Sequence, residues 1–300
     1  MNAMSRRYLT VDVFTDRRFG GNPLGVVFDA DGLDTDQMQA IAREFNYSET
    51  TFLLPPRDGG HTATLRIFTP AREVPFAGHP NIGAALAVAW EGELFGREIG
   101  DEIVFDEKAG LVRIAITREN GQAVSAELTA PEPYRTGGEI GRDFVARCAG
   151  LSPDDIAVDR HKPVVASVGL PFTFAELRDS SALERAKIGP VETFKALPAN
   201  AHDLMIYVRT GEGHVRARMF GPLDAVPEDP ATGSACAALM GLTAHLDPAE
   251  NGEVTLSIRQ GVEMGRPSRI EARAEKKDGA VTAVRVAGGA VAVMEGRLLD

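Results

Sequence analysis

Hydrophobic and polar residues alternate along most of this chain, in short segments that end at glycine, proline or asparagine. A period of two residues is typical of β-strands with one buried face. In the first half it predicts strands over 8–14, 24–28, 50–54, 61–68, 102–106, 110–117 and 123–129. One segment, 35–45, has its apolar residues at helical spacing, and it predicts a helix with Asp34 or Thr35 as the N-cap residue.

Two further segments have no polar face at all. Residues 82–90 and 235–242 are apolar in every direction around a helix. Such a helix lies inside a protein rather than on its surface. Each segment follows a glycine, Gly78 in one case and Gly233 in the other. The pattern therefore predicts two buried helices, each entered through a glycine-containing turn.

The second half of the chain repeats the first. The segment Arg66–Pro70 recurs 152 positions later as Arg218–Pro222, and the strand 51–54 is matched at the same offset by 203–206. A buried helix and a series of short strands then follow in both halves. Motif, preceding strand, helix and later strands agree in order, which chance does not explain. The chain is therefore predicted to be a duplicated unit.

This repeat sets the predicted fold class and domain organisation. Each half combines short, mostly antiparallel strands with one buried helix, so the fold class is α+β. The predicted half-domains are 1–117 with 286–300, and 118–285. The last strand, within 288–299, is one more than the repeat needs and is expected to return to the first half. The active site is expected in a cleft between the two half-domains.

Composition and charge argue against several classes of protein, among them nucleic-acid-binding, disulfide-rich and membrane proteins. The chain has 300 residues, 44% of them hydrophobic and 25% charged, and its net charge is −11. These values are typical of a soluble globular protein and give no basic stripe for nucleic acid. Two distant cysteines and six scattered histidines form no disulfide framework or metal motif. Because neither a membrane span nor a signal peptide is visible, no membrane partner and a cytoplasmic location are expected.

The glycine-containing turns suggest a binding chemistry. A helix N-terminus leaves main-chain N–H groups without acceptors and carries a partial positive charge. Glycine lets a ligand approach these groups closely, and Pro80 suits the first turn because it has no N–H group. Two such termini, at Gly78 and Gly233, would hold an anionic ligand, most simply a carboxylate. Asn81 and Ser234 belong to the same two turns.

Several ionisable residues accompany these turns. His79 follows Gly78 directly, and Asp229 precedes the second turn. Glu49 begins a predicted strand, and its partner at the repeat offset is Ala201, so this carboxylate occurs in one half only. That asymmetry makes Glu49 a candidate for a chemical role, while Asn22 gives a weaker signal. The residues alone thus predict a small anionic ligand with a carboxylate and an imidazole nearby.

The assembled motifs resemble those of the PhzF family, over nearly the whole chain. The resemblance rests on segments 11–15, 21–24, 48–52, 66–70, 73–80 and 228–235. It implies a diaminopimelate epimerase-like fold, with two pseudo-symmetric half-domains that each wrap a curved sheet around a central helix. It also implies a homodimer that needs neither cofactor nor metal.

The same resemblance implies an activity and site residues. The activity is isomerisation of a small carboxylate substrate, trans-2,3-dihydro-3-hydroxyanthranilate, by proton transfer. The resemblance implies Glu49 as the main acid/base, with His79 and Asp229 as the other catalytic residues. It implies that the substrate carboxylate is held by Gly78, Gly233 and Ser234. The substrate-binding set is completed by Asn22, Pro80 and Asn81. For this chemistry, Glu49 is expected in a dry cleft, where burial raises the pKa of a carboxyl group.

Two other functions stay open at this point. One is a two-base epimerase or racemase with Glu49 and Asp229 on opposite faces of a stereocentre. A two-thiol version is not expected, because Gly78 and Gly233 stand where the epimerases carry cysteine and Cys236 lies inside an apolar helix. The other is a small-molecule binding protein without catalysis on the same scaffold.

Overall fold

The computed structural model describes residues 5–224 and 226–299, and it separates into two compact units. Unit 1 is Met1–Leu128 with Ala287–Asp300, and unit 2 is Thr129–Val286. The first boundary falls later than the predicted one. The reason is that the strands Gly110–Glu119 and Gln122–Thr129 pair as an antiparallel hairpin, which keeps the second of them with unit 1. The last strand belongs to unit 1. The predicted cleft stays a prediction.

Unit 1 is built from two helices and short strands, numbered here in chain order. The helices are α1 (Thr35–Phe45) and α2 (Gly78–Glu91). The strands are β1 (Arg6–Val13), β2 (Asn22–Val27), β3 (Glu49–Leu54), β4 (Ala63–Phe68), β5 (Glu73–Val74), β6 (Glu93–Leu94), β7 (Arg97–Glu98), β8 (Glu102–Glu107), β9 (Gly110–Glu119), β10 (Gln122–Thr129) and, from the end of the chain, β20 (Ala290–Leu298).

The strands of unit 1 pair mainly in antiparallel fashion. Strand β1 pairs antiparallel with β2 and β20, β3 with β4, and β8 with β9. The pairs β2–β3 and β4–β8 are parallel. Helix α2 packs against β1, β2 and β9. It approaches the strands closely at Gly83, where an added Cβ would lie 2.6 Å from the side chains of Leu24 and Val13.

Helix α1 covers the other side of β2–β4. Its buried residues Met38 and Ala42 join a core cluster with Phe52 and Phe68. The N-cap residue is Asp34, whose side chain accepts from the Gln37 N–H group in a capping box. The structure thus selects Asp34 from the two predicted caps.

Unit 2 contains the second long helix, α6 (Gly233–Leu246), and three short ones, α3 (Arg142–Cys148), α4 (Ser180–Arg185) and α5 (Val191–Phe194). Two 3₁₀ turns lie at Pro153–Asp155 and Pro222–Asp224. The strands are β11 (Arg135–Glu139), β12 (Val164–Ser167), β13 (Pro171–Glu176), β14 (Leu204–Gly211), β15 (His214–Gly221), β16 (Val226–Asp229), β17 (Gly252–Gln260), β18 (Ser268–Lys277) and β19 (Ala280–Gly288).

Unit 2 repeats the pairing pattern of unit 1. Strands β13 and β14 are parallel, as are β15 and β17, and most other pairs are antiparallel. Helix α6 packs against β12, β13 and β18. The three short helices were not predicted. They form a second core with the outer face of β13–β15, in which Cys148, Leu183 and Phe194 meet Ile206.

The repeat motif has the same internal structure in both units. Arg66 binds Glu73 through Nε and Nη2, at 2.8 and 2.9 Å, and Arg218 binds Glu228 in the same way at the same distances. In both units the carboxylate lies opposite a phenylalanine, since Phe68 pairs with Glu73 and Phe220 with Glu228. The helix then begins five residues later. These paired positions give a structural alignment of the two units.

Candidate functional site

Unit 1 brings together three of the predicted site residues. Asn22 begins β2 and Glu49 begins β3, and these parallel neighbours pair Leu24 with Glu49. His79 is the second residue of α2. Its Nε2 lies 3.5 Å from Glu49 Oε2, and its Nδ1 lies 3.3 Å from Asn22 Nδ2. Asn22, the weaker signal in the sequence, therefore contacts the imidazole directly.

The environment of His79 fixes its charge and its proton. Burial lowers the pKa of His79 to about 3, so the ring is neutral at physiological pH. An amide Nδ2 only donates hydrogen bonds, so Asn22 makes His79 Nδ1 an acceptor. The ring proton then lies on Nε2, which faces Glu49. Glu49 is itself partly accessible, with 18% of its side chain exposed.

The first turn of α2 suits an anion. Its N-cap residue, Ala77, has an extended conformation and supplies no side-chain cap. The first turn contains no acidic residue, and Pro80 has no N–H group. By helix geometry, the N–H groups of Gly78 and His79 have no acceptor within the helix. Since the end of the helix is also electropositive, these N–H groups can donate hydrogen bonds to a carboxylate.

Asn81 lies on a different side of the same helix. Each residue of an α-helix advances by about 100°, so Asn81 is about 200° around the axis from His79. Its Nδ2 donates to the Ala77 carbonyl at 3.0 Å. Its side chain also interacts with the carboxyl group of Glu107, at the end of β8, and lowers the pKa of that group. The structure therefore does not bring Asn81 to Glu49. Its predicted contact with substrate, and that of the buried Pro80, stay predictions.

Unit 2 holds its own set of residues at the start of α6. Asp229 ends β16, and its Oδ2 accepts from the Thr232 hydroxyl. Gly233 and Ser234 are the first two residues of α6, so Ser234 occupies the helix position that His79 has in unit 1. The turn from Asp229 to Ser234 is thus a compact hydrogen-bonding element with a carboxylate and two hydroxyl groups.

Sequence reasoning missed the residue that organises this turn, Gln260. Its Nε2 donates to the Asp229 carbonyl at 2.7 Å and to Thr232 Oγ1 at 3.1 Å, and its Oε1 accepts from the Thr232 N–H group at 3.2 Å. Gln260 is completely buried. A signal exists in the sequence, because Gln260 continues the buried face of β17 that Leu256 and Ile258 define.

Strand register corrects the repeat partner of Glu49. Phe68 pairs with Thr50 in unit 1, and its counterpart Phe220 pairs with Leu204 in unit 2. The residue before Thr50 is Glu49, and the residue before Leu204 is Asp203. The counterpart is therefore Asp203, not Ala201, because the connection between the two strands is two residues shorter in unit 2. Both units carry a carboxylate at this strand start.

The two thiols are buried and unsuited to proton chemistry. Burial raises the pKa of Cys148 to about 11 and that of Cys236 further. Cys236 Sγ lies 3.6 Å from Gln260 Oε1 inside unit 2. Within the described residues, no three or more His, Cys, Asp or Glu side chains are grouped so that they could hold a metal ion. No helix in the described ranges is long and apolar enough to cross a membrane.

Comparison with known sequences gives a consistent result. The family model PhzC-PhzF, described as "Phenazine biosynthesis-like protein", matches residues 11–296. An uncharacterized isomerase of Mesorhizobium japonicum is 40% identical over 98% of this chain and 99% of its own. The trans-2,3-dihydro-3-hydroxyanthranilate isomerase of Pseudomonas chlororaphis is 38% identical over 97% of this chain and 99% of its own.

Solved structures agree with the fold. The phenazine biosynthesis protein of the PhzF family from Bacillus anthracis has a TM-score of 0.87 at 26% identity, with 99% of each chain covered. A hydroxyproline epimerase from Agrobacterium vitis has a TM-score of 0.64 at 15% identity, over 98% of this chain and 92% of its own, which bears on the fold alone. The α+β, epimerase-like fold expected from the sequence is confirmed.

Proposed function

Because the chain belongs to the phenazine biosynthesis-like protein family and is an isomerase, we propose that it moves a proton on a small carboxylate-bearing substrate similar to trans-2,3-dihydro-3-hydroxyanthranilate. The observation that carries this proposal is the contact between Glu49 and a neutral His79 beside the N-terminal turn of α2. A carboxylate, an imidazole nitrogen 3.5 Å from it and the N-terminal turn of a helix then lie within one unit.

The proposed chemistry is a transfer of one proton by Glu49. The carboxylate takes a proton from a substrate carbon next to an unsaturated system, and the electron pair of that C–H bond moves into the conjugated system. Glu49, now a neutral acid, returns the proton at another carbon, so atoms and charge balance. The His79 Nε2–H group stabilises the Glu49 carboxylate before the first step and after the second. A positioned acid/base group of this kind contributes about 10²- to 10⁴-fold to a rate.

The remaining predicted residues have binding roles in this proposal. The N–H group of Gly78 binds the substrate carboxylate, and Gly233 and Ser234 do so from unit 2. Asp229, oriented by the Thr232 hydroxyl, accepts a hydrogen bond from the substrate amino or hydroxyl group. This part rests on the family motifs at 73–80 and 228–235.

We also propose that the enzyme works without a cofactor, as a homodimer in the cytoplasm. The support is the family resemblance together with the ionisable residues of unit 1, which are sufficient for proton transfer. Light scattering on the purified protein measures the mass directly. A mass of one chain would overturn the dimer and leave the proposed reaction untouched.

A proton NMR time course in heavy water tests the reaction itself. The wild type is expected to convert trans-2,3-dihydro-3-hydroxyanthranilate, and Glu49→Gln is expected to leave it unchanged. Glu44→Gln, an exposed carboxylate on α1, is the matched control and should behave like the wild type. Conversion that survives in Glu49→Gln would contradict the proposal.

The same spectra separate the alternative functions. A two-base epimerase would invert a stereocentre and incorporate solvent deuterium there, giving a stereoisomer whose double bonds have not moved. A binding protein would perturb substrate signals without any exchange. Either result would overturn the isomerase proposal for this substrate and direct the search to other amino or hydroxy acids.

A further inference from the structure

A second polar cluster in unit 1 has no part in the mechanism so far. Glu107, the last residue of β8, is only 6% exposed. In the part of the chain that the structure describes, neither of its carboxyl oxygens accepts a hydrogen bond of normal geometry, and Asn81 Oδ1 also has no donor. Buried polar atoms without partners are rare in native proteins. Three of them on two neighbouring side chains need a physical explanation.

A proton on Glu107 supplies that explanation. A protonated carboxyl group has one O–H donor, and Asn81 Oδ1 needs a donor. An interaction of the Asn81 amide with the carboxyl group lowers the pKa of Glu107, but burial is the larger effect and raises that pKa to about 8. At neutral pH the carboxyl group is therefore neutral. Its hydroxyl can donate to Asn81 Oδ1, which satisfies both residues.

Asn81 in turn holds the peptide that precedes α2. Its Nδ2 donates to the Ala77 carbonyl at 3.0 Å. That carbonyl and the Gly78 N–H group belong to one planar peptide unit, so fixing one fixes the direction of the other. A chain of contacts therefore runs from Glu107 through Asn81 to the N–H group that is proposed to bind the substrate carboxylate.

The internal repeat supports this role independently. Parallel pairing places Ala63 opposite Phe105 in unit 1 and Val215 opposite Ile258 in unit 2. Ala63 and Val215 are repeat partners, so Glu107, two residues after Phe105, corresponds to Gln260.

In unit 2 this position visibly organises the start of the helix. Gln260 accepts from the N–H group of the N-cap residue Thr232 and contacts the fourth residue of α6, Cys236. Asn81 is the fourth residue of α2. The same strand position is therefore occupied by a buried polar residue in both units, an amide that holds the helix turn in unit 2 and a carboxyl group in unit 1.

The charged side chains next to Glu107 in the sequence are paired with other groups. The next residue, Lys108, is committed to Glu73 at 2.6 Å, and Glu73 also binds Arg66. Asp106, before it on β8, contacts His61 Nδ1 at 2.9 Å. The turn after β8 is fastened to the segment before α2, since the Ala109 N–H group donates to the Pro75 carbonyl at 3.1 Å.

We propose that Glu107 is a positioning residue: as a neutral acid it donates to Asn81 and thereby holds the Ala77–Gly78 peptide in the orientation that receives the substrate carboxylate. This inference rests on the proposed role of Gly78. Loss of the proton would remove the donor and place a negative charge near the helix N-terminus. Both changes weaken binding of an anionic substrate, so they act on KM.

Carbon-13 NMR tests the positioning without any substrate. In the wild type, the Glu107 carboxyl carbon and the Ala77 carbonyl carbon are expected to shift together, with a midpoint near pH 8. In Glu107→Gln the Ala77 carbon should not respond over the same range. An Ala77 carbon that ignores pH in the wild type, or a Glu107 carbon that titrates near pH 4.5, would overturn the proposal.

Kinetics with trans-2,3-dihydro-3-hydroxyanthranilate test the consequence. With a midpoint near pH 8, kcat/KM of the wild type should fall about tenfold from pH 7 to pH 9, mainly through KM. Glu107→Gln keeps a donor at every pH and should flatten this fall, whereas Glu107→Leu has no donor and should raise KM throughout. Glu102→Gln, an exposed carboxylate on the same strand, is the control and should follow the wild type.

The two experiments distinguish a failure of the proposed function from a failure of the positioning role. If the compound is not converted, the proposed function fails for it, and the carbon-13 titration still decides the role of Glu107. If conversion occurs and Glu107→Gln keeps the full alkaline fall of the wild type, the positioning role is wrong and the isomerase proposal stands.

Discussion

The two units share one scaffold but carry different chemistry on it. Both have an arginine–carboxylate pair followed by a 14-residue helix that begins at a glycine. Both have a carboxylate at the same strand start, Glu49 and Asp203. The second helix residue is His79 in unit 1 and Ser234 in unit 2. In unit 1 the imidazole faces its carboxylate, while in unit 2 the serine offers only a hydroxyl group.

This difference indicates where proton transfer is expected. The longer Glu49 side chain reaches a buried ring whose proton is fixed by Asn22. In unit 2 the corresponding segment is Gly169-Leu170-Pro171, in place of Gly21-Asn22-Pro23, and Leu170 is 45% exposed. The duplicated fold therefore has a helix that begins at a glycine in both units. The imidazole near the strand-start carboxylate differs: it is His79 of the helix in unit 1, and in unit 2 it is His202, whose Nε2 lies 3.8 Å from Asp203 Oδ1.

The largest predicted difference lies in how much the Arg66–Glu73 and Arg218–Glu228 pairs contribute to the free energy of unfolding. Arg218 binds Glu228 and two main-chain carbonyls, so Arg218→Met leaves a largely buried carboxylate without its cation and should cost about 3 kcal/mol of unfolding free energy. Arg66→Met should cost about 2 kcal/mol, since Lys108 still pairs with Glu73. Urea denaturation measures both losses. Equal losses would show that the two pairs are energetically equivalent.

Glu107 and Gln260, which end the corresponding strands β8 and β17, should differ in how they make stability depend on pH. The pKa of Glu107 rises from 4.5 in the unfolded chain to about 8 in the fold, so the folded state keeps a proton that the unfolded state has released. Unfolding free energy therefore falls as pH rises from 4.5 to 8. Glu107→Gln makes unit 1 resemble unit 2 at Gln260, and should gain about 3 kcal/mol over the wild type between pH 5 and pH 8.

Thermal or urea unfolding across this pH range checks the sign as well as the size. The control, Glu102→Gln, should keep the pH dependence of the wild type. A Glu107→Gln variant whose stability runs parallel to that of the wild type from pH 5 to pH 8 would mean that Glu107 is ionised in the fold.

The second helix residue should differ in catalysis. His79→Leu removes the Nε2–H donor that faces Glu49 and should lower kcat about 100-fold. Ser234→Ala removes one hydroxyl group at the proposed carboxylate site, and should act within about tenfold and mainly on KM. Steady-state kinetics on folded variants, checked by circular dichroism, separates kcat from KM. Equal losses in kcat would contradict a catalytic difference between the units.

The smallest effects are expected at Asn22, which contacts His79 rather than Glu49, and at its counterpart Leu170. Asn22→Leu frees Nδ1 of His79 and should lower kcat about tenfold, with a change in the nitrogen-15 shifts of the ring that reports its tautomer. Leu170→Asn, the reciprocal change on an exposed residue, should alter unfolding free energy by less than about 0.5 kcal/mol. A ring spectrum unchanged in Asn22→Leu would exclude Asn22 as the group that sets the tautomer.

The parts of the fold that the sequence predicted are those with a local signal. The apolar helices α2 and α6 and the duplicated motif are visible because periodicity and residue order need no knowledge of tertiary contacts. Helices α3, α4 and α5 were missed because each has at most seven residues, too few for a helical period to show. Their positions depend on the core that they share with β13–β15.

Residues of the candidate site were proposed one by one from the sequence, but the contacts between them were not. The motif positions identified Glu49 and His79, and the structure supplied their 3.5 Å contact. The partner of Glu49 was assigned to Ala201 because a constant offset ignores the shorter connection in unit 2. Glu107 and Gln260 escaped because a buried polar residue at the end of a strand is recognisable only from what packs against it.

We propose that the Glu49 carboxylate, and not its counterpart Asp203, carries the proton. The direct measurement is kcat for Glu49→Gln and Asp203→Asn with trans-2,3-dihydro-3-hydroxyanthranilate. We predict a fall of at least about 10³-fold in the first variant and less than about tenfold in the second. Comparable falls in both, or a larger one in Asp203→Asn, would contradict this division of roles between the two units.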